Sequence, residues 1–369
     1  MGPHPCACLL ALLSTLAAFL PANAAEPFWT TPSIAFSAEE RWRVSIRGER
    51  ISDKVPHAPN ASGGGFEPAK ERPRYLDGAL ALDWRPLDGW LLRARVGRRS
   101  LTSLRDRYTV DGLHFGVARR LPSPHPAIGL ELLLDVDVNR ADELYKNSWT
   151  EVGGSRLSEA RLFDASDDSV MLSLAARAPL FYSSSVAVLV GAGRTRARHG
   201  RLAGVGTDAE GCRYEFGASA GAGWLELLES CDNLVTFRET YADESGIQRR
   251  LGFSPSSDLE YTGSVAQAGI AFEHRAGDVE VSLGYVYRRR DRGAFDRRIR
   301  EQGGRTVASS HTTSLRAGFA ASATLGVNVG LHYRSTAYLD ELPLLYNVFT
   351  SERFLKNNLA FSIGATLAF

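Results

Sequence analysis

The chain has 369 residues, 44% of them hydrophobic and 23% charged, with a formal net charge of +1 at pH 7. That apolar content excludes a chain too polar to bury a core, and the near-zero charge excludes a strongly basic nucleic-acid binder. A mean hydropathy of -0.17 fits a soluble protein and equally a membrane β-barrel whose polar lumen offsets an apolar exterior, so pattern has to decide.

Residues 1–24, MGPHPCACLLALLSTLAAFLPANA, contain no Lys, Arg, Asp or Glu. Their apolar core, Leu9 to Leu20, is followed by the small-x-small ending Ala22-Asn23-Ala24. The core is shorter than the ~20 residues a spanning helix needs, and the segment reads as a cleaved secretory signal. Cys6 and Cys8 leave with it. The remainder, 25–369, reads as one domain that keeps Cys212 and Cys231 in an export route permitting disulfides.

Beyond that point the dominant signal is period 2. Trp42, Val44 and Ile46 alternate with Arg43, Ser45 and Arg47; Leu80, Leu82 and Trp84 flank Asp83; Ile128 to Val138 is apolar at every second place. The alternation returns at Val170/Leu172/Leu174, Val186/Val188/Val190, Val279 to Tyr287 and Val327 to Tyr333. Each run is a strand with one apolar and one polar face. Alternation assigns twelve strands, near 38–50, 75–86, 90–100, 107–120, 127–139, 168–178, 185–196, 258–273, 278–290, 310–322, 326–337 and 357–369.

The connections alternate in length. Tight ones lie at Pro86 to Gly89, Leu121 to Pro126, Pro179 to Ser184, His274 to Asp278 and Ala321 to Gly326, whereas 51–74, 140–168 and 289–310 are long and polar. Segregation of short turns from long loops is the habit of a transmembrane barrel, with the short turns periplasmic. Trp84 and Trp90 flank one tight turn on outward positions, where aromatic rings suit the headgroup level.

Between 197 and 257 the pattern blurs. Tyr214 to Trp224 alternates with small residues, so fourteen strands are an alternative to twelve. A spanning strand there would separate Cys212 from Cys231 by roughly the ~25 Å apolar band, beyond the ~7 Å Cα limit of a disulfide. Pairing of Cys212 with Cys231 therefore favours twelve strands and one long external loop folded as a stapled hairpin.

In the last strand Leu359, Phe361, Ile363, Ala365 and Leu367 share a face, and the sequence closes on Phe369. This ending resembles the C-terminal assembly signal of bacterial outer-membrane β-barrel proteins. The resemblance implies an all-β transmembrane antiparallel barrel in the bacterial outer membrane. It also implies contact with outer-membrane lipid and lipopolysaccharide, and with the barrel-assembly machinery during insertion.

On the twelve-strand register the inward side chains include Arg43, Arg47, Arg93, Arg95, His114, Arg288, Arg316 and Arg334, opposed by Asp77, Asp83, Glu131, Asp135, Asp137 and Glu280. These are the candidate lumen-lining residues. They either line a hydrated pore or neutralise one another and plug the barrel. A second basic cluster, Arg288, Arg289, Arg290, Arg292, Arg297, Arg298 and Arg300, reads as an external loop able to grip phosphate or carboxylate bidentately. His114 and His332 stand too far apart in the sequence to suggest a metal site, and no cofactor is implied.

His311 and Thr313 have the spacing of the His and Ser of outer-membrane phospholipase A, which this chain resembles in size. Thr here replaces the Ser, and Asn328 reads as inward. In strand 1, RWRVSIRGERISD is similar to the opening of the alginate-export family, whose barrels pass acidic polysaccharide through an Arg-lined pore. The expected function is a pore or export channel for small or acidic solutes. A closed structural or surface-interaction barrel is the alternative, and an outer-membrane hydrolase a third reading.

Overall fold

The computed structural model describes residues 41–51, 74–103, 106–148, 150–181, 183–219, 222–229, 238–241, 243–336, 342–351 and 357–369. The signal segment, and with it the cleavage site, lies outside these residues. In chain order the first strands are β1 (Trp42–Ile51), β2 (Arg74–Trp84), β3 (Trp90–Ser103), β4 (Asp106–Leu121), β5 (Gly129–Lys146), β6 (Thr150–Val152), β7 (Ser155–Phe181) and β8 (Ser184–Arg198). Next come β9 (Arg201–Thr207), β10 (Arg213–Ser219), β11 (Ala222–Glu229), β12 (Arg238–Tyr241), and the short helices α1 (Ser245–Leu251) and α2 (Pro255–Leu259). The chain returns through β13 (Tyr261–Ala276), β14 (Val279–Asp291), helix α3 (Ala294–Glu301), β15 (Ser309–Ala320), β16 (Leu325–Arg334) and β17 (Asn358–Ala368).

Twelve of these strands form a closed antiparallel barrel. Sequential hairpins run from β1 to β5; β7 pairs with β5 and β8, β8 crosses to β13, and β13 to β17 follow in order before β17 pairs back onto β1. The ring is closed by reciprocal main-chain bonds, the Trp42 amide donating to the Phe369 carbonyl at 2.9 Å and the Phe369 amide to the Trp42 carbonyl at 3.0 Å. Strands β10 and β11 do not enter the ring: they pair with each other and with β9 and β12. The fourteen-strand alternative is thereby set aside.

The outer face carries the apolar half of the alternation. Leu172, Val190, Ile270, Leu283, Val329 and Ile363 are each about half exposed or more. A continuous apolar surface of this kind is a lipid-facing belt. At the tight-turn edge Trp42 and Trp84 stack at 5.0 Å between centroids, and Arg119 lies 4.7 Å over the Trp90 ring. Phe369 faces outward on the same edge and is exposed.

At the opposite end several strands leave the barrel. β7 has 27 residues, more than twice the 9–11 that a tilted membrane strand requires. Its outer half pairs with β9 and with the β6 hairpin, whose Gly153 and Gly154 both take positive φ, 58° and 84°, as tight hairpin turns demand. The result is an external sheet, β7-β9-β10-β11-β12, standing on the barrel wall.

The largest apolar core also lies at this end. Leu101, Tyr108, Val110 and Leu144 from the strand tops pack in one cluster with Ile247, Leu251 and Phe253, with Phe295 and Ile299 of α3, and with Leu342, Leu344, Tyr346 and Phe349. The last four belong to 342–351, a segment between β16 and β17 with a 3-10 turn at Pro343–Leu345. It is held by Tyr261 Oη donating to the Pro343 carbonyl at 3.2 Å and the Val348 amide donating to the Asp258 carbonyl at 3.3 Å. Edge-to-face contacts from Phe216 to Phe253 and from Phe253 to Phe349, 5.5 and 5.1 Å between centroids, tie it to the external sheet. The barrel is thus capped on its loop side.

Candidate functional site

Below the cap a cavity of about 510 Å3 runs from the 320–326 turn to Pro343. Its walls are the polar face of the alternation, so the residues that make the strands amphipathic also make the lumen. Among the described residues nine arginines and six carboxylates line it. One side is apolar: Leu91, Leu133, Leu189 and Val286, with small alanines between them, form a separate inward cluster on β3, β5, β8 and β14.

On the turn side, Arg93 clasps Asp83 through Nε at 2.6 Å and Nη2 at 3.1 Å, a bidentate pair across neighbouring strands. His114 stands between two acids of β5, Nδ1 at 2.9 Å from Asp137 and Nε2 at 3.5 Å from Asp135. Arg177 is ion-paired with Glu273 across β8. Arg43, Arg95, Glu280 and Arg316 line the same cavity.

Under the cap the groups are buried and linked. Arg99 Nη2 donates to Asn139 at 3.0 Å, Asn139 Nδ2 to Asp167 at 3.3 Å, and Thr195 Oγ1 to Asp167 at 3.0 Å. Around the β1–β17 seam Glu49 accepts from Arg47 and, at 2.7 Å, from Arg334. His332 lies 2.9 Å from Ser314 and 3.0 Å from Ser362. These bonds couple the buried groups to one another, because loosening a member leaves a further buried polar group unpaired.

The lumen residues expected from alternation face inward, but they do not share one environment. Arg43, Arg47, Arg93, Arg95, Asp83, Asp135, Asp137, Glu280 and Arg316 reach the cavity. Glu131 and Arg334 are buried in the wall and do not line it. Asp77 is likewise buried, accepting from Tyr75 Oη at 3.4 Å.

The basic loop expected outside is divided three ways. Arg288 and Arg290 are inward residues of β14 and line the cavity. Arg292 is buried in the cap, donating to Asp296 Oδ1 at 3.0 Å and to the Val307 carbonyl. Arg298 holds Asp258 at 2.6 Å, and Arg300 donates to Thr306 at 3.3 Å. Only Arg289, Arg297 and Arg300 of the seven are exposed. Arg292 and Arg298 build the cap, each on a neighbouring acid, while Arg289, Arg297 and Arg300 stay at the surface.

Outside the lumen, His311 Nδ1 is 2.7 Å from Tyr285 Oη, and Thr313 lies opposite Tyr285 and Tyr333 in register. Among the described residues no hydrogen bond joins His311 to Thr313, and Asn328 lines the cavity inside the barrel. Cys212 is buried at the base of the β9–β10 turn; Cys231 lies outside the described residues. Sequence reading missed the cap segment 342–351. Its signal was the apolar run LPLLYNVF, which has neither strand nor helix period.

No known family matches the chain, and no curated protein does. Among solved structures it is similar to the translocator domain of the autotransporter NalP from Neisseria meningitidis, with 9% identity over 89% of each chain and a TM-score of 0.49. It is also similar to the NanC porin, at 7% identity over 88% of this chain and 100% of that one, TM-score 0.39. For the CymD monoaromatic hydrocarbon channel the values are 10% identity, 89% of each chain and a TM-score of 0.38.

Proposed function

We propose that this protein is an outer-membrane channel for small acidic solutes, closed on its external side by the cap formed by 342–351 and α3. The observation that carries the proposal is the charge of the cavity directly beneath that cap, nine arginines against six carboxylates. In a narrow low-dielectric passage local charge is focused and outweighs a near-zero net charge. The excess of guanidinium favours anions, and its forked donors suit carboxylates.

Single-channel recording of the refolded protein in planar bilayers tests this. Under a salt gradient the reversal potential should report weak anion selectivity. The double variant R43S/R95S should shift it toward cations, with the effect shrinking near 1 M salt, where screening shortens to ~3 Å. Indifference to both substitutions would reduce the arginines to wall residues.

The extent of the cap supports a second reading, a closed barrel whose external sheet engages a partner. A trace that stays silent even when the cap is loosened would favour it.

A further inference from the structure

The two rims of the apolar belt differ in chemistry. On the tight-turn rim the belt ends in Trp42, Trp84, Trp90 and Phe319, rings that suit the headgroup level of any bilayer. On the loop rim the outward position after the last belt residue is arginine on several strands: Arg98 after Val96, Arg140 after Val138, Arg194 after Ala192 and Arg289 after Tyr287.

Some of these charges are neutralised within the protein. Arg98 is paired with Asp111 at 2.8 Å, and Asp168 is engaged by Arg140 at 2.8 Å and by Arg198 at 3.6 Å. Arg194, Arg196 and Arg289 are exposed, and among the described residues no carboxylate lies within ion-pair distance of any of them. They flank β13, which presents only Thr262, Ser264 and Ala266 outward between them. The register sets Arg194 opposite Ser264, Arg196 opposite Thr262 and Arg289 opposite Ala266. A groove of about 590 Å3 beside this face is lined by Arg194, Thr262 and Ser264 together with Glu260, Asp291 and Arg298, the last already paired with Asp258 at 2.6 Å.

We infer that this rim of β8, β13 and β14 is a binding site for the phosphates of a bis-phosphorylated glycolipid of the outer leaflet. The three guanidinium-bearing residues sit on strands two spacings apart, ~10 Å across, with Arg289 and Arg196 in register with Ala266 and Thr262 of β13, ~13 Å along it. Each offers the bidentate geometry that phosphate oxygens accept. The small side chains of β13 leave room for a sugar, and the belt directly below covers acyl chains. A headgroup with two phosphates engages arginines on both sides of β13, whereas a single phosphate reaches one side. The inference rests on the outer-membrane placement proposed above and not on conduction.

The test uses the full chain refolded into neutral phosphatidylcholine nanodiscs, with folding checked by heat-modifiable gel migration. Bis-phosphorylated, mono-phosphorylated and fully dephosphorylated lipid A are then titrated in, and bound lipid is counted by native mass spectrometry. Wild type should bind the bis-phosphorylated form at least tenfold tighter than the dephosphorylated one. R194Q/R196Q/R289Q should lose that ratio, and R119Q on the opposite rim should keep it. Equal binding by wild type and the triple variant overturns the site, as does equal competition by phosphatidylglycerol. A chain that does not insert into bilayers at all overturns the membrane placement instead, which the gel migration distinguishes.

Discussion

The guanidinium carbon of Arg292 sits 3.8 Å from the centre of the Tyr346 ring, with the Tyr261 ring 5.5 Å away on another side. Tyr346 Oη in turn accepts from the Val307 amide at 2.9 Å and donates to Asp296 at 3.3 Å, while burial holds the phenol above its ordinary pKa and so keeps it a donor. One cation therefore fastens the plug segment to β13 and to α3. Replacement of Arg292 by Met keeps the stem and strands Asp296 in the core. Losing one partner of such a buried pair costs about 3 kcal/mol. If the channel reading holds, R292M should raise open probability in planar bilayers on the order of 100-fold. A current unchanged from wild type would show that the cap does not gate.

The β10–β11 hairpin brings its two ends together, with Arg213 opposite Glu229 and their side chains 2.8 Å apart. Cys212 precedes the first and Cys231 follows the second by two residues. Non-reducing peptide mapping of exported protein should find the two cysteines joined. On the chain-entropy account the bridge stabilises the external sheet by roughly 3 kcal/mol. Two free thiols in the exported protein would refute the pairing.

His199, in the turn between β8 and β9, lies 3.3 Å from Glu260, yet burial pushes its imidazole below the ordinary value of 6.5 against the pull of that acid. The unfolded chain then takes up a proton that the folded turn refuses. Stability from this group is complete above about pH 6.5 and declines as the pH falls through 6.5 toward the lowered folded value. Limited proteolysis of the external sheet should therefore speed up between pH 7.5 and 5.5, and H199Q should flatten that change. The same pH profile in both proteins would remove His199 from the account.

Orientation is testable on intact cells. An epitope inserted after Arg297, on the exposed face of α3, should be reached by antibody. One inserted after Leu87, in the tight turn where that side chain is 67% exposed, should be reached only after permeabilisation. The opposite pattern would invert the barrel and place the cap on the periplasmic side.

Within the membrane, fold and sequence read alike because every ring strand keeps strict period 2 between lipid and lumen. Above it β7 loses that legibility. Its buried positions run 155, 157, 160, 162, 165 and 167, changing parity at a register irregularity between Leu157 and Glu159 and again at Asp164, whose φ is 54°. Two bulges erase the alternation, so the span from Arg140 to Asp168 reads as a loop although most of it is strand. The site was legible in part. Alternation supplies which side chains face inward, but it cannot show that Arg334 meets Glu49 across the seam or that Arg292 turns into the cap. Those contacts depend on strands far apart in the sequence and on a helix that folds back.

The seam between β1 and β17 bears on how the barrel is made. Neighbouring hairpins join residues close in the chain, but the last pair to form joins segments from opposite ends of the ring. Until it does, β1 and β17 each present a row of unsatisfied amides and carbonyls, which hydrocarbon penalises by several kcal/mol per group. Half-closed intermediates are thus expelled from the bilayer interior, and insertion is tied to closure as a single cooperative event. The speed of that event is set by the search of one end for the other, the slowest kind of contact a chain makes. A designed linker between the 41 and 369 ends, with new termini opened in an exposed external turn, would make the seam local. That circular permutant should insert faster than the natural order and be no more stable once closed.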